Sequence, residues 1–344
     1  MKAAVLYGKE TIRIEDIPEP PLKTGEVRVR IEAALTCGTD LKVYRRGYHA
    51  RMITPPAVFG HELAGVIAEK DGAVQGWKVG DRVVVANSAP CGQCAMCNAG
   101  QPNLCDDLQF LNGAYAESIV VPERLVRKNM LRLADRTAFV DAALAEPLAC
   151  VVLAIEETGL KNGDRVLIIG SGPIGLMFVS LASRHGCEVT VAGRGERRLA
   201  AAQRLGAAKT IDVAAAGSDV SEAVKAARSE PFDVVIEAVG KPDVWETASK
   251  LVRKGGKVNF FGGCPSGTKV CLDTGWLHYS SVRLMASFHH TPVTFRQALN
   301  YIEKGVVRTS EFIDGECPLS ELPSLFQRMA ANNRAFKTIV RVRE

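Results

Sequence analysis

The residues Arg165-Val-Leu-Ile-Ile-Gly170-Ser-Gly172-Pro173-Ile174-Gly175 decide the architecture of this 344-residue chain. The apolar run predicts a buried parallel strand, and the residues after Gly175 predict a helix to about residue 184. Gly170 permits a tight turn, Gly172 lets the backbone approach a pyrophosphate, and Gly175 lets the helix pack on the sheet. The helix N-terminus adds N–H groups for the phosphates, so the stretch predicts a dinucleotide site. A glycine-rich turn without a ligand is the alternative, and the flanking strand and helix argue against it.

Strands and helices alternate on the C-terminal side of this stretch. Apolar, β-branched runs predict strands at residues 188–192, 209–211, 232–237 and 257–261, and helical patterns at 196–205, 220–228 and 244–252 separate them. This alternation is typical of a doubly wound parallel sheet, and the fold class is therefore α/β. After residue 290, two helical patterns at 295–304 and 319–331 and a strand at 338–342 can fold back on the first part of the chain.

The end of the second strand of this sheet indicates which nicotinamide cofactor binds. An NAD site usually has a carboxylate there, about 20 residues after the glycine motif, to hold the ribose 2′-hydroxyl. Gly193 and Arg194 occupy that place here, and Arg197 and Arg198 follow. A guanidinium can bind a 2′-phosphate through two hydrogen bonds, so the sequence predicts NADP in preference to NAD. Alternatively, the arginines form a solvated helix face and Glu196 serves NAD.

The first part of the chain has a different pattern. Alternating or apolar runs at residues 2–6, 11–14, 26–32, 82–86 and 113–121 predict short strands, with Gly and Pro between them. Many short strands with this punctuation are typical of a β-barrel-like domain. A loop is expected after Asp40, and a helix is expected over residues 142–155.

Four cysteines, Cys91, Cys94, Cys97 and Cys105, lie close together in a polar loop. Thiolates at this spacing can all reach one ion, and four sulfurs at about 2.3 Å in a tetrahedron describe a structural zinc site. Two disulfides are one alternative, but adjacent short loops strain disulfide geometry and nothing else indicates secretion. An iron–sulfur cluster is another, because ferredoxins have similarly close cysteines.

A second set of metal-binding side chains is spread along the chain. Cys37 follows a predicted strand, His61 and Glu62 are adjacent, and Glu146 lies in a helical pattern. A catalytic zinc takes three such ligands and keeps one position open. We expect Cys37, His61 and Glu62 on loops that follow strands, where a rigid scaffold holds them. Each residue alone would more often be structural, so the hypothesis depends on their combination.

Composition excludes several classes of protein. The chain has 43 Lys and Arg residues and 38 Asp and Glu residues. The resulting net charge of +5 is too small to indicate nucleic-acid binding. No apolar run approaches the ~20 residues of a membrane span. The charged pair Lys9-Glu10 follows the first apolar run, which predicts a strand rather than a signal peptide. Ten cysteines without an export signal indicate a reducing compartment, and we expect the cytoplasm.

Together these motifs resemble the zinc-dependent medium-chain dehydrogenases. The motifs occur in the same order along the chain as in that family: Cys37-Gly-Thr39-Asp40, Gly60-His61-Glu62, the four cysteines, Glu146-Pro-Leu-Ala-Cys150 and the glycine motif. The Glu-Pro-Leu sequence is typical of the sorbitol (polyol) and threonine dehydrogenase branch. The resemblance implies a GroES-like β-barrel catalytic domain at 1–145, with 287–344 folding back on it, and a Rossmann domain at 146–286. It also implies a homodimer or homotetramer.

The resemblance assigns roles to single residues. Three side chains match direct ligands of a catalytic zinc: Cys37, His61 and Glu62. Glu146 matches a carboxylate that binds this zinc directly or through water. Thr39 matches the hydroxyl that bonds the substrate oxygen and starts a proton relay, and Asp40 would orient His61. The four clustered cysteines match a structural zinc lobe.

The expected reaction is zinc-dependent hydride transfer between NADP(H) and a secondary alcohol or ketone. Polar and basic groups in the expected substrate region suit a polyhydroxylated small molecule such as a polyol, a cyclitol or a sugar derivative. The candidates for substrate contact are Lys42, Tyr44, Phe110, His289 and His290. The alternatives are an NAD-dependent threonine-type amino-alcohol dehydrogenase, a quinone-oxidoreductase-like relative without zinc, and a zinc-binding scaffold without activity.

Overall fold

The structure is a computed structural model that describes residues 1–49, 51–215, 217, 219–228, 230–331 and 336–343. In chain order its strands are β1 (Lys2–Gly8), β2 (Thr11–Asp16), β3 (Val27–Leu35), β4 (Ala57–Val58), β5 (Glu62–Lys70), β6 (Arg82–Val85), β7 (Ser88–Ala89), β8 (Gln109–Phe110), β9 (Ser118–Val121), β10 (Met130–Arg132), β11 (Arg165–Ile169), β12 (Glu188–Gly193), β13 (Lys209–Asp212), β14 (Phe232–Glu237), β15 (Val252–Phe260), β16 (Arg283–Met285), β17 (Ile313–Pro318) and β18 (Lys337–Arg341).

The α-helices are α1 (Gly38–Arg46), α2 (Ala95–Asn98), α3 (Glu123–Lys128), α4 (Phe139–Ala142), α5 (Ala145–Thr158), α6 (Pro173–Arg184), α7 (Glu196–Arg204), α8 (Val220–Ala227), α9 (Pro242–Ala248), α10 (Thr274–Tyr279), α11 (Pro292–Glu303) and α12 (Leu322–Ala330). Short 3₁₀ turns lie at Pro102–Leu104, Thr309–Phe312 and Leu319–Glu321. None of the described helices has the length and apolar character needed to cross a membrane. The chain divides into two compact units: unit 1 is Met1–Ala149 with Thr291–Glu344, and unit 2 is Cys150–His290.

Unit 1 is organised around β3. This strand pairs antiparallel with β5, β9 and β18, and its sheet runs in the order β10-β6-β5-β3-β18-β17, with β9 beside β3. Val27, Val29 and Ile31 are fully buried whereas Arg30 is exposed, because successive side chains of a strand point to opposite faces. The last strand, β18, thus returns the end of the chain to the strand that leads into Cys37.

Unit 2 contains the doubly wound sheet that the sequence predicts. Its six strands run parallel in the order β13-β12-β11-β14-β15-β16. The central strand β11 carries the apolar run before the glycine motif, and Val166, Leu167 and Ile168 are fully buried. Strands buried on both faces require such continuous apolar runs, and this is why the local pattern identifies them.

Three sequence-based predictions of single elements were wrong. The residues after Asp40 form helix α1 rather than a loop, because Cys37 caps its N-terminus and Gly47, at φ +89°, ends it. The strand predicted at 113–121 is only β9, since Gly113 has φ +126° and turns the chain. The helix predicted at 244–252 ends at Ala248, and Val252 begins β15 instead, because its side chain is buried in the core beneath the sheet.

Candidate active site and metal centres

Three of the predicted catalytic side chains meet in unit 1. One ligand atom each from Cys37, His61 and Glu62 lie within 4.8 Å of one another. The pairing of β3 with β5 causes this meeting, because Leu35, two residues before Cys37, lies opposite Glu62. Cys37 follows β3 and His61 lies in the short loop between β4 and β5, as expected, whereas Glu62 is the first residue of β5 and not a loop residue. A thiolate, an imidazole and a carboxylate at this separation suit a zinc ion with one open position.

Asp40 orients the imidazole of His61. Its Oδ1 lies 2.8 Å from Nδ1 of His61, and both side chains are nearly fully buried. Burial alone would lower the pKa of His61, but the charges of Asp40 and Cys37 outweigh it and raise that pKa well above its usual value. With Nδ1–H donated to the carboxylate, the ring presents Nε2 as the metal-binding nitrogen.

Lys337 is a site residue that sequence reasoning missed. Its Nζ lies 2.5 and 2.6 Å from the two carboxylate oxygens of Glu62 and donates to the carbonyl oxygen of Thr36 at 3.2 Å. Burial raises the pKa of Glu62, although Lys337 opposes that rise. Burial would lower the pKa of Lys337, but the charge of Glu62 raises it. Each charge therefore favours the charged form of the other, although burial still leaves the pKa of Glu62 above its usual value.

Tyr115 is a second residue that was not predicted. Its hydroxyl donates its single hydrogen to Oδ2 of Asp40 at 2.5 Å, and the carbonyl oxygen of Leu35 lies 3.2 Å from the same hydroxyl. The only signal in the sequence is an aromatic residue within the pattern Gly113-Ala-Tyr-Ala-Glu, and such residues are most often packing residues. Its hydrogen bonds depend on the pairing of distant segments.

Glu146 lies in the first turn of α5 and is 5% exposed. Burial raises the pKa of its carboxyl to about 7, and the charge of Glu62 adds to this rise while that of His61 opposes it. A carboxyl whose pKa is near neutrality can alternate between a neutral form and a carboxylate ligand. Thr39, near the start of α1, is partly buried.

The four clustered cysteines form a compact sulfur cage. The Sγ atoms of Cys91, Cys94, Cys97 and Cys105 lie within 4.8 Å of one another. Separations of 4.0 Å between Cys91 and Cys97 and 3.8 Å between Cys94 and Cys105 suit a tetrahedral ion with ligands at about 2.3 Å. All ten cysteines lie in the described part of the chain and are free, so the disulfide alternative was wrong. Sulfur atoms this close together suit a single ion better than an iron–sulfur cluster.

Backbone amides donate hydrogen bonds to a sulfur of this cage and favour its thiolate form, which is the form that binds a metal. The amides of Gln93 and Cys94 donate to Sγ of Cys91 at 3.4 and 3.3 Å and lower the pKa of that thiol to about 6. Burial raises the pKa of Cys105 to about 12. A metal ion displaces the proton of such a buried thiol, because the thiolate is the ligand. The donor set therefore fits a structural zinc.

The glycine motif of unit 2 has the geometry of a phosphate cradle. Gly170 has φ +118°, in the region that favours glycine. A Cβ on Gly175 would lie 1.9 Å from the carbonyl oxygen of Gly170, so only glycine lets α6 approach β11 this closely. A Cβ on Gly172 would meet no protein atom within 4 Å. Pro173 and Ile174 begin α6, whose N-terminus faces this open space with a positive dipole end.

The end of β12 has no room for the carboxylate of an NAD site. A Cβ on Gly193 would lie 2.4 Å from Oγ of Ser171. That hydroxyl accepts a hydrogen bond from the backbone N–H of Arg194 at 3.2 Å and donates to its carbonyl at 3.1 Å. Ser171, inside the glycine motif, thus fixes Arg194 beside the phosphate cradle. Glu196 and Arg197 are exposed at the start of α7, and Arg198 is partly buried there.

The candidate substrate residues lie in different environments. Lys42 is exposed on α1, and Phe110 is partly buried in β8. Tyr44 is 3% exposed with its ring 5.4 Å from that of Phe326, and this position favours packing over substrate contact.

In unit 2, His290 is 2% exposed, a position that also favours packing. His289 has φ +67°, is partly buried and stacks on Phe288 with 5.4 Å between ring centroids. Its environment therefore leaves it as the better substrate candidate of the two histidines.

Known proteins match the chain over its whole length. Residues 23–130 match the alcohol dehydrogenase GroES-like domain, and residues 173–304 match the zinc-binding dehydrogenase family. The chain is 31% identical to a sorbitol dehydrogenase of Bacillus subtilis, over 99% of this chain and 97% of that protein. It is 34% identical to a D-altritol 5-dehydrogenase of Agrobacterium fabrum, over 98% of each chain. A structure from Sinorhizobium meliloti 1021, described as a zinc-binding dehydrogenase bound to NADP, has a TM-score of 0.89 at 30% identity and covers 98% of each chain.

The fold and these matches define the class: the chain belongs to the zinc-dependent medium-chain dehydrogenases. Within that family it falls in the polyol branch, and it is an alcohol or polyol dehydrogenase that uses zinc and a nicotinamide dinucleotide. The resemblance found in the sequence is confirmed, as is the combination of a GroES-like domain with a parallel-sheet dinucleotide-binding domain.

Proposed function

We propose that this enzyme transfers hydride between NADP(H) and a secondary alcohol or ketone of a polyhydroxylated small molecule. The observation that carries the proposal is the meeting of Cys37, His61 and Glu62 within 4.8 Å. Two relatives are named for sorbitol and D-altritol, which supports a polyol or a sugar derivative as substrate. The bound NADP of the Sinorhizobium meliloti structure supports the choice of cofactor.

Two zinc ions per chain are part of this proposal. Cys37, His61 and Glu62 would hold a catalytic ion, with Glu146 as a ligand or as the partner of a bound water. The cage of Cys91, Cys94, Cys97 and Cys105 would hold a structural ion. Metal-binding thiols must stay reduced, which favours a compartment such as the cytoplasm. A homodimer or homotetramer is expected from the resemblance and can be measured by light scattering.

In the mechanism, bound zinc supplies Lewis acidity that lowers the pKa of a substrate hydroxyl, and bound NADP supplies the hydride acceptor. Thr39 accepts the proton of the substrate hydroxyl at its Oγ1 as its own hydroxyl proton passes to solvent. Asp40 keeps His61 in the tautomer that presents Nε2. Lys337 balances the negative charge that Glu62 brings to a buried site. In the opposite direction, Thr39 returns the proton to the oxygen of the reduced ketone.

The cofactor preference can be tested before the substrate is known. Titration with NADPH and with NADH, followed by nicotinamide fluorescence, should give at least tenfold tighter binding of NADPH, or about 1.4 kcal/mol. Arg194→Ala should remove most of this preference by weakening NADPH alone. Arg184→Ala is the control, because it also removes one arginine charge but lies at the C-terminal end of α6, away from the glycine motif. It should leave the preference for NADPH unchanged. Equal binding of both cofactors by the unchanged enzyme would refute the NADP assignment.

The substrate class needs a panel of alcohols in both directions of the reaction. Pentitols, hexitols, cyclitols and sugar acids should include the best substrates, and L-threonine and simple alcohols should be poor. Preference for an amino alcohol would favour the threonine-type alternative. Cys37→Ser should lose turnover and one zinc together. Cys317→Ser changes a buried cysteine of unit 1 outside the site and should lose neither. A Cys37→Ser enzyme that kept its zinc and its turnover would contradict the proposed site.

A further inference from the structure

Asp40 is held by two donors from opposite sides. Its Oδ1 lies 2.8 Å from Nδ1 of His61, and its Oδ2 accepts the hydroxyl hydrogen of Tyr115 at 2.5 Å. Asp40, His61 and Tyr115 are 2%, 3% and 0% exposed. Because all three side chains are buried, these two donors fix the plane of the carboxylate, and a hydrogen bond at low dielectric is stronger than in water.

Tyr115 also contacts both chain segments that carry the metal-binding residues. Its hydroxyl oxygen lies 3.2 Å from the carbonyl oxygen of Leu35, two residues before Cys37. Its ring lies against Gly60, where a Cβ would be 2.7 Å from a ring carbon. Gly60 has φ +89° and directly precedes His61. One side chain thus joins the two segments that must meet at the metal.

Aromatic packing holds the Tyr115 ring in place. The ring of Phe59 meets it edge-on, with 5.7 Å between centroids and 79° between planes, and Phe326 lies 6.1 Å away. Burial raises the pKa of Tyr115 well above its usual value, and the charge of Asp40 adds to this rise. The hydroxyl therefore keeps its proton at neutral pH and serves as a donor.

We propose that Tyr115 is a positioning residue of the catalytic metal centre. Its hydroxyl holds Asp40 in the orientation that bonds Nδ1 of His61, and Asp40 in turn aims Nε2 at the metal. The inference rests on the proposed function, because it requires His61 to be a metal ligand. It assigns the role to the hydroxyl, since phenylalanine at this position would fill the same space and keep the same ring contacts.

The test is a titration of metal-depleted enzyme with Co²⁺, whose ligand-field absorption reports the coordination of each site. In Tyr115→Phe, Co²⁺ binding to the site of Cys37 and His61 should weaken by about tenfold, the lower end of the range for partners that bond a ligand directly. The absorption band of that site should also shift. The band of the four-cysteine cage should not change, and it serves as an internal standard for correct folding.

Tyr7→Phe is the matched control. The Tyr7 hydroxyl also donates to a carboxylate, that of Glu15, at 3.0 Å, but on the exposed surface of unit 1. This variant should bind Co²⁺ as the unchanged enzyme does. If Tyr115→Phe does not fold, Phe326→Leu loosens the ring and keeps the hydroxyl. It should then give a smaller loss of Co²⁺ affinity at the same site, and unchanged affinity would overturn the proposal.

The outcomes separate this inference from the proposed function. An unchanged enzyme that binds Co²⁺ only at the cysteine cage and oxidises no alcohol overturns both. In a second outcome, the unchanged enzyme binds two Co²⁺ ions and turns over a polyol, and Tyr115→Phe has the same Co²⁺ affinity and the same spectrum. That outcome overturns only the role of Tyr115. Weaker binding and a shifted band in Tyr115→Phe alone support it.

Discussion

Lys337 and Glu62 form a buried ion pair behind the candidate catalytic metal site, with Nζ 2.5 and 2.6 Å from the two carboxylate oxygens. The exposed fractions of the two side chains are 4% and 0%. Lys337 is the first residue of β18, so the end of the chain supplies the charge that Glu62 needs. A carboxylate shared between an ammonium group and a metal donates less charge to the metal, which keeps the metal a stronger Lewis acid.

Replacing Lys337 should destabilise unit 1. In Lys337→Met the buried charge of Glu62 loses its partner, and breaking such a pair costs about 3–5 kcal/mol. Without Lys337, burial raises the pKa of Glu62 further. A raised pKa in the folded state means that folding favours the uncharged form of Glu62. The loss of stability in Lys337→Met should therefore grow as the pH rises through that pKa, and it should shrink in acid, where Glu62 is uncharged. Urea unfolding of metal-depleted enzyme at several pH values measures this.

Arg341→Met is the control for this experiment. Arg341 lies at the other end of β18, and its partner Glu316 is on the surface, with exposed fractions of 64% and 47%. Exposed pairs contribute about 0–1 kcal/mol, so this variant should unfold at nearly the same urea concentration at every pH. Equal effects of the two substitutions would contradict a special role for the buried pair.

The glycine motif and the four cysteines could be predicted from the sequence because each is contiguous. A strand, a turn and the start of a helix lie within Arg165–Gly175, and short spacing alone brings the cysteines together. Lys337 and Tyr115 could not be predicted, because their partners come from segments that only strand pairing brings near. The apolar run around Lys337 carries a weak signal, since a lone lysine within it needs a buried partner. Helix α1 was missed because five of its nine residues are polar or charged.

Removing one ligand of the cysteine cage should change the zinc content. Cys94→Ala should hold one zinc per chain instead of two, since three thiolates without the fourth bind the ion weakly. The loop of residues 91–105 should then become sensitive to proteases. Cys187→Ala removes a buried thiol of unit 2 that donates to the carbonyl of Lys161, and it should keep both ions. Elemental analysis of the purified proteins gives the counts, and two ions in Cys94→Ala would exclude the cage as a zinc site.

Two glycine variants should separate folding from cofactor binding. Gly175→Ala forces a Cβ to within 1.9 Å of the Gly170 carbonyl oxygen, and such overpacking should destabilise unit 2 by roughly 1–3 kcal/mol. Gly172→Ala meets no protein atom within 4 Å and should unfold like the unchanged enzyme. Its methyl group should nevertheless weaken NADPH binding, because it points into the space for the pyrophosphate. Thermal unfolding and NADPH titration of both variants give the comparison, and normal NADPH affinity in Gly172→Ala would place the phosphates elsewhere.

The acid stability of unit 2 should depend on Asp233. Burial alone would raise the pKa of this carboxyl, but hydrogen bonds from Arg253 and Arg165 at 2.5 and 3.0 Å outweigh it and lower the pKa to about 2. A depressed folded-state pKa stabilises the protein above the unfolded pKa of about 3.9, and this stability is lost as the pH falls toward 2. Asp233→Asn should therefore cost at most about 2.6 kcal/mol at neutral pH, less where water screens the arginines, and only a small part of that near pH 2.

Unfolding of Asp233→Asn by urea at pH 7, 4 and 2.5 tests this dependence. The difference from the unchanged enzyme should be largest at pH 7 and should narrow through pH 4, because protonation of Asp233 removes the same interactions as the substitution. Asp243→Asn is the control, since Asp243 is exposed in the first turn of α9. It should lower stability by no more than a few tenths of a kcal/mol. A constant difference between Asp233→Asn and the unchanged enzyme from pH 7 to pH 2.5 would mean that packing, and not the charge of Asp233, determines the effect.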